Sequence, residues 1–289
     1  MRKTIFEIVK ENETLEKDIN RIIRLISKEE IICEDDIIFG DYTLFNFVSQ
    51  YCFNDWKNRG HCIDLQDFLT SINYKEIENM APYNERNMLL FVELVCNFWK
   101  LANKKIDNNK VKPYQNFILL REILNDVLEK VNYKAYYNKE QEQVIVVEDK
   151  PEVTAVAEIA PEPIALDIIK YNHHTLKGNI ELKKKILLAM GADLEPKRKQ
   201  LKTINSTLED NIFRMLNEFN LRHNNVNPQD NKNYHADIAA LSSQQMEEWY
   251  DELYQMILLA YLNLDNVERN KKIKEFYDKR NNNGEQTNG

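Results

Sequence analysis

The sequence predicts a mainly α protein, helical bundles carrying one small inserted β-hairpin near residues 133–149. Three observations lead there. Only 6 glycines and 7 prolines punctuate 289 residues, so turns are few and the elements between them long. Apolar residues recur at spacings of three and four through most of the chain, the period of a helix with one buried face. One stretch, Val144-Ile145-Val146-Val147, breaks that period with β-branched side chains, which suit strands.

In chain order, Ile5, Ile8, Val9, Leu15, Ile19, Ile22, Ile23 and Ile26 give an apolar stripe interrupted near Asn12, so one or two amphipathic helices are expected over residues 4–28. Aromatic residues crowd 42–56 and suggest another helix, and Asp64 to Ile72 a short one. Asn84 to Ala102 is apolar nearly all round, as in the central helix of a bundle. The Lys- and Asn-rich run from Leu101 to Pro113 ends in a proline that can begin a new helix, and it divides the chain into an N-terminal helical domain, 1–110, and a C-terminal one, 111–278. The second opens on the amphipathic helix 114–131. In the hairpin that follows, Tyr136-Tyr137 and the valine run flank a turn at Asn138 to Gln141; a lone two-stranded hairpin is marginal, so it should pack on a helix. Short helices are expected over 151–160 and 163–171, and a longer one over 179–190, ended by Gly191. Pro196 or its neighbours start the next.

The helix that starts at Ser206 and runs to the polar Arg-His-Asn-Asn corner at 222–225 has Leu208, Ile212, Met215, Leu216 and Phe219 on one face. Ser206 and Glu209 form a capping-box pair at its start, and Asn224-Asn225, tolerant of a left-handed backbone, can end it. Ser242 and Gln245 repeat the box before a last long helix carrying Met246, Trp249, Leu253, Met256, Ile257 and Ala260. Residues 279–289, rich in Asn and Gly, are an expected disordered tail.

A net charge of −8 argues against a dedicated wrap-around DNA binder but leaves room for a local phosphate site. No apolar run reaches the roughly 20 residues a bilayer span needs, and the first residues lack the apolar core of a signal peptide, so a cytoplasmic location without a membrane partner is expected. The 4 cysteines form no C-x-x-C pair and are expected to be reduced. Phosphate-binding glycine loops, zinc-ligand spacings and nucleophile elbows are missing. This removes most nucleotide hydrolases, dehydrogenases, zinc proteases and α/β hydrolases.

Charge is unevenly spread. Between Lys177 and Lys202, eight basic residues stand against three acidic ones, a solvated helix face or a phosphate-facing surface. The most reactive combination follows, at Arg222-His223. Histidine exchanges a proton near neutral pH and a guanidinium neutralises charge building on phosphate. Metal-free RNA cleavage needs a base for the 2′-hydroxyl, a cation for the phosphorane and an acid for the leaving oxygen. Asn224 and Asn225 can hold the tautomer or bind phosphate oxygens. The alternative is that Arg222 and His223 cap the helix C-terminus, where cations are favoured. His173-His174, with His223 and Asp237, would be needed for a metal-dependent hydrolase; adjacent histidines diverge by about 100° on a helix, so they serve one metal only if the backbone turns there.

The helix NIFRMLNEFN, the corner LRHNN and the last helix QQMEEWYDELYQMILLAYL resemble the all-α HEPN superfamily, particularly helical domains of abortive-infection and toxin-type proteins, over about residues 160–263. The spacing departs from that family's Arg, four to six residues, then His: Arg222 is followed directly by His223, and His235 lies beyond the intervening loop. The resemblance implies a metal-independent endoribonuclease of phage defence or toxin-antitoxin regulation, or else a non-catalytic helical interaction module of a defence system. In the first case Arg222, His223 and His235 are catalytic, and Asn224, Asn225, Lys197, Arg198 and Lys199 bind substrate. No metal or cofactor is expected. RNA, a second copy in a homodimer, and an antitoxin or sensor protein are the expected partners.

Overall fold

A computed structural model describes residues 14–34, 41–80, 84–106, 111–229 and 232–285. It is mainly α, with a small antiparallel hairpin where the valine run predicts one. The chain forms two compact units, Met1–Asp149 and Lys150–Gly289.

In the first unit, α1 (Leu15–Ser27) is capped by Thr14, whose hydroxyl accepts from Lys17 N–H; the part of the expected helical region before residue 14 lies outside the described residues. Strands β1 (Ile32–Glu34) and β2 (Asp41–Tyr42) follow. The helix expected over 42–56 is broken into α2 (Leu44–Phe47), a π-helical turn and a 3-10 turn before Trp56 becomes extended. Its rings account for the breaks: Phe45 and Trp56 both reach Phe98 edge-on, which the rise of about 16 Å between them in one regular helix would not allow. Short helices α3 (Leu65–Ser71) and α4 (Tyr74–Met80) lead to α5 (Glu85–Ile106), the expected central helix, with Phe91, Val92, Val95 and Phe98 fully buried.

The segment expected to separate two domains instead leads into β3 (Val111–Pro113), which pairs with β1 in a three-stranded antiparallel sheet ordered β2-β1-β3. Helix α6 (Gln115–Lys130) then packs on α1, with Lys130 Nζ 2.6 Å from the buried carboxylate of Asp18. The division therefore falls after Asp149 rather than near 110. Its cause is long-range pairing that a local change of composition cannot report.

The hairpin is β4 (Tyr133–Asn138) and β5 (Gln143–Glu148), in register Tyr133↔Glu148 to Asn138↔Gln143. It packs on α5, as its marginal size requires. The Asn97 side chain donates to the Val144 carbonyl and accepts from its N–H, both at 2.8 Å, while Glu93 accepts from Val146 N–H at 2.7 Å. Two side chains of one helix thus satisfy the β5 backbone edge.

The second unit runs through α7 (Pro151–Ile159), α8 (Glu162–Tyr171), α9 (Ile180–Leu194), α10 (Arg198–Ile204), α11 (Ser206–Glu218), the single turn α12 (Ala236–Ala239) and α13 (Ser243–Glu285). Gly191 does not end α9. A Cβ there would stand 2.8 Å from Leu216 Cδ1, so this glycine lets α9 and α11 approach closely instead. At α13 the capping box forms as expected: Gln245 N–H donates to Ser242 Oγ, and Ser242 N–H to Gln245 Oε1. The helix continues to Glu285, through most of the expected disordered tail; 286–289 lie outside the described residues.

Tyrosines dominate the buried face of α13. Tyr250, Tyr254 and Tyr261 are at most 4% exposed, whereas Trp249, expected in the core, is 44% exposed. Each hydroxyl finds an acceptor, the Phe219 carbonyl, the Ile168 carbonyl and the Asp193 carboxylate respectively, so the rings are buried without an unsatisfied polar group. Among the described residues no helix is long and apolar enough to cross a membrane.

Candidate functional site

The Arg-His corner is built by α11 and the loop after it. The start of α11 is capped by Asn205, whose side chain accepts from Leu208 N–H at 3.0 Å. Ser206 is already helical, so the expected Ser206–Glu209 box does not form. Its end is made by Asn220, whose φ of +55 is the left-handed conformation expected at Asn224-Asn225. The chain then returns, with Arg222 N–H donating to the Leu216 carbonyl at 2.9 Å.

Asn225 is 1% exposed and holds this loop together. Its Oδ1 accepts from Asn220 N–H and its Nδ2 donates to the Asn233 carbonyl; its own carbonyl accepts from His235 N–H at 2.9 Å. Both arms of the side-chain amide are consumed in loop closure, so Asn225 is a structural residue and is not available to phosphate. The same closure joins the segment bearing His223 to the one bearing His235. His223 and Asn224 are exposed, and His235 is half-buried at the start of α12.

The cations around the corner are held by carboxylates. Arg222 donates to Glu195. The other Glu195 oxygen stands 3.6 Å from Arg198, which in turn donates to Glu209, a carboxylate with a side chain only 1% exposed and with Lys202 at 3.9 Å. The hydrogen bond to Glu209 raises the pKa of the Arg198 guanidinium further. Both guanidinium groups also lie against the Phe213 ring, at 5.5 Å for Arg222 and 4.3 Å for Arg198, distances at which ring and cation attract. Lys197 is bound at 2.5 Å to Asp193, which also accepts from the Tyr261 hydroxyl. Of the three cations expected to bind substrate, Lys197 and Arg198 are thus engaged by carboxylates of their own unit, and Lys199 faces solvent.

The remaining sequence candidates are separately placed. His173 takes an extended backbone after α8, so the chain does turn there and the rings of His173 and His174 approach to 4.4 Å; His173 Nδ1 lies 2.6 Å from Thr175 Oγ1. Asp237 is exposed in the first turn of α12. Sequence reasoning missed the acids Asp193, Glu195 and Glu209 as partners of the basic cluster. It also missed Lys183, whose side chain is 7% exposed and bound by Glu247 at 2.8 Å and Asp251 at 2.6 Å.

Comparison of the chain with protein-family models, with curated proteins and with solved structures finds no match.

Proposed function

We propose that this chain is a non-catalytic helical protein-interaction module, the role that its resemblance to HEPN-type helical domains implies for partner components of defence systems. One observation carries the preference: Glu195, Glu209 and Asp193 already neutralise Arg222, Arg198 and Lys197. A phosphorane-stabilising arginine works through charge aimed at an otherwise unbalanced oxyanion, and a carboxylate bound to it opposes that effect. The purified chain is expected to leave RNA intact with or without added divalent metal, and its expression to be harmless to cells. Metal-independent cleavage that disappears in His223→Ala, with the helical circular-dichroism spectrum retained, would overturn this reading.

A second reading, a metal-independent HEPN-like endoribonuclease, is favoured by the loop closure at Asn225, which gathers His223, His235 and Arg222 on one short segment. There His223 takes the 2′-hydroxyl proton, the 2′-oxygen attacks phosphorus, Arg222 balances the phosphorane and His235 returns a proton to the leaving 5′-oxygen. Glu195→Gln separates the two readings. Release of Arg222 from an anionic partner raises cleavage in the second and leaves it at zero in the first.

A further inference from the structure

We propose that the stretch of α13 from Leu259 to Phe276 pairs antiparallel with the same stretch of a second copy of this chain. This deepens the interaction-module reading by naming the partner. The first half of α13 is buried on one face by Leu253, Tyr254, Ile257 and Tyr261, but from Glu268 to Arg280 every residue is exposed. Helix stability in proteins comes mainly from packing an apolar face, and an unsupported segment of this length is marginal in water. The extension nevertheless carries large apolar side chains: Ile273 is 54% and Phe276 63% exposed, and Leu259 and Leu262, on the side of α13 away from its buried face, are 47% and 40% exposed.

These positions share one seam. Leu259, Leu262, Asn266, Arg269, Ile273 and Phe276 alternate at spacings of three and four, the a and d positions of three heptads, about 26 Å from end to end. The apolar pairs lie at the two ends and the polar pair in the middle. An antiparallel second copy, related by a two-fold axis between Val267 and Glu268, therefore places Leu259 against Phe276, Leu262 against Ile273 and Asn266 against Arg269. Such an isologous contact closes on itself as a dimer.

Charge selects the same orientation. In the antiparallel register Asp265, at a g position, flanks Lys272 of the second copy, and the two-fold axis repeats the pair. A parallel register would oppose Arg269 to Arg269 within the seam, and like charges at such positions disfavour pairing. Within each helix Arg269 is already held by Asp265, which keeps the mid-seam guanidinium on the flank that the partner helix reaches.

Sedimentation velocity of the full chain across a concentration series tests the contact. The wild type is expected to dimerise reversibly, and Ile273→Asp/Phe276→Asp to move the monomer–dimer midpoint at least about 100-fold higher, with no loss of helical circular dichroism beyond that of the unpaired extension. Orientation is read by oxidative cross-linking of Leu262→Cys and Ile273→Cys. An equimolar mixture should give a disulfide between Cys-substituted positions 262 and 273, and Leu262→Cys alone none beyond the wild-type background. A wild type that stays monomeric, a dimer insensitive to the double substitution, or self-linking of Leu262→Cys would each overturn the proposal. RNA cleavage by the wild type would instead remove the non-catalytic reading and leave the seam standing; a cleavage-inactive monomer would do the reverse.

Discussion

Lys183→Met tests whether the buried polar cluster between α9 and α13 holds the second unit together. Lys183 Nζ lies 2.8 Å from Glu247 and 2.6 Å from Asp251, and 5.1 Å from the Tyr171 ring centroid. Tyr171 stacks on Tyr254 at 4.0 Å and donates to Asp251, so the ammonium sits at a junction of α8, α9 and α13. Methionine keeps the apolar stem and removes the charge. Loss of one partner from a buried ion pair costs about 3–5 kcal/mol, and the cation–ring contact up to about 1 kcal/mol more. Against that, Asp251 is half exposed and rehydrates, and Glu247 keeps the Gly178 N–H at 2.8 Å. The expected net loss is about 2–4 kcal/mol, a large part of the ~5–15 kcal/mol typical of a whole domain. Region-resolved hydrogen exchange on peptides from α9 and α13 reads it as a fall in opening free energy. The pH dependence supplies a second check. Burial acts to raise the Glu247 pKa, but the hydrogen bonds from Lys183 and Gly178 outweigh it and hold the carboxyl below its usual range. A depressed carboxyl stabilises the fold above its unfolded pKa of about 4.3, and that contribution is lost as pH falls through the lower folded value. Part of the advantage of Lys183 over methionine should therefore disappear below pH ~4. A loss under about 0.5 kcal/mol, the range of ordinary surface substitutions, would refute the argument.

Two further outcomes follow from burial and hydrogen bonding. Asn225→Ala leaves the Asn220 N–H without its side-chain acceptor and removes the bond to the Asn233 carbonyl; at about 2 kcal/mol for an unsatisfied donor, exchange in the loop around 220–235 should quicken roughly 30-fold while α13 peptides remain protected. Burial pushes the thiols of Cys52 and Cys96 up to about 12, and Cys62 is half-buried. Alkylation of the native chain at pH 8 should therefore label Cys62 before Cys52 and Cys96, as peptide mapping will show, and early labelling of Cys96 would contradict its packing.

Local signals were legible in the sequence where the deciding interactions are themselves local. Ser242 and Gln245 are three residues apart and bond one another, and the valine run pairs across a four-residue turn. Where a distant partner decides, the pattern misleads. Gly191 has the sequence signature of a helix end, yet Leu216 on α11 explains why it is glycine. The polar stretch near 110 has the composition of a linker, yet β3 pairs with a strand some 80 residues earlier. Ser206 and Glu209 have capping-box spacing, but Arg198 claims Glu209 and Asn205 supplies the cap.

The candidate site shows the same division in electrostatic form. Counting charges along Lys177–Lys202 finds an excess of basic residues, and that excess was the main sequence argument for a phosphate-facing surface. Whether a lysine or arginine can meet phosphate depends on its existing counter-ion, which is set by packing rather than by position in the chain. Glu195 reaches Arg222 across 27 residues, and Glu247 and Asp251 reach Lys183 from α13. Once these pairs are drawn, Lys183, Lys197 and Arg198 belong to the internal framework of the second unit, and Arg222 joins them. The exposed His223 remains next to an arginine whose charge is already answered. That arrangement supports the proposed binding module over a site whose cation must be available to a transition state.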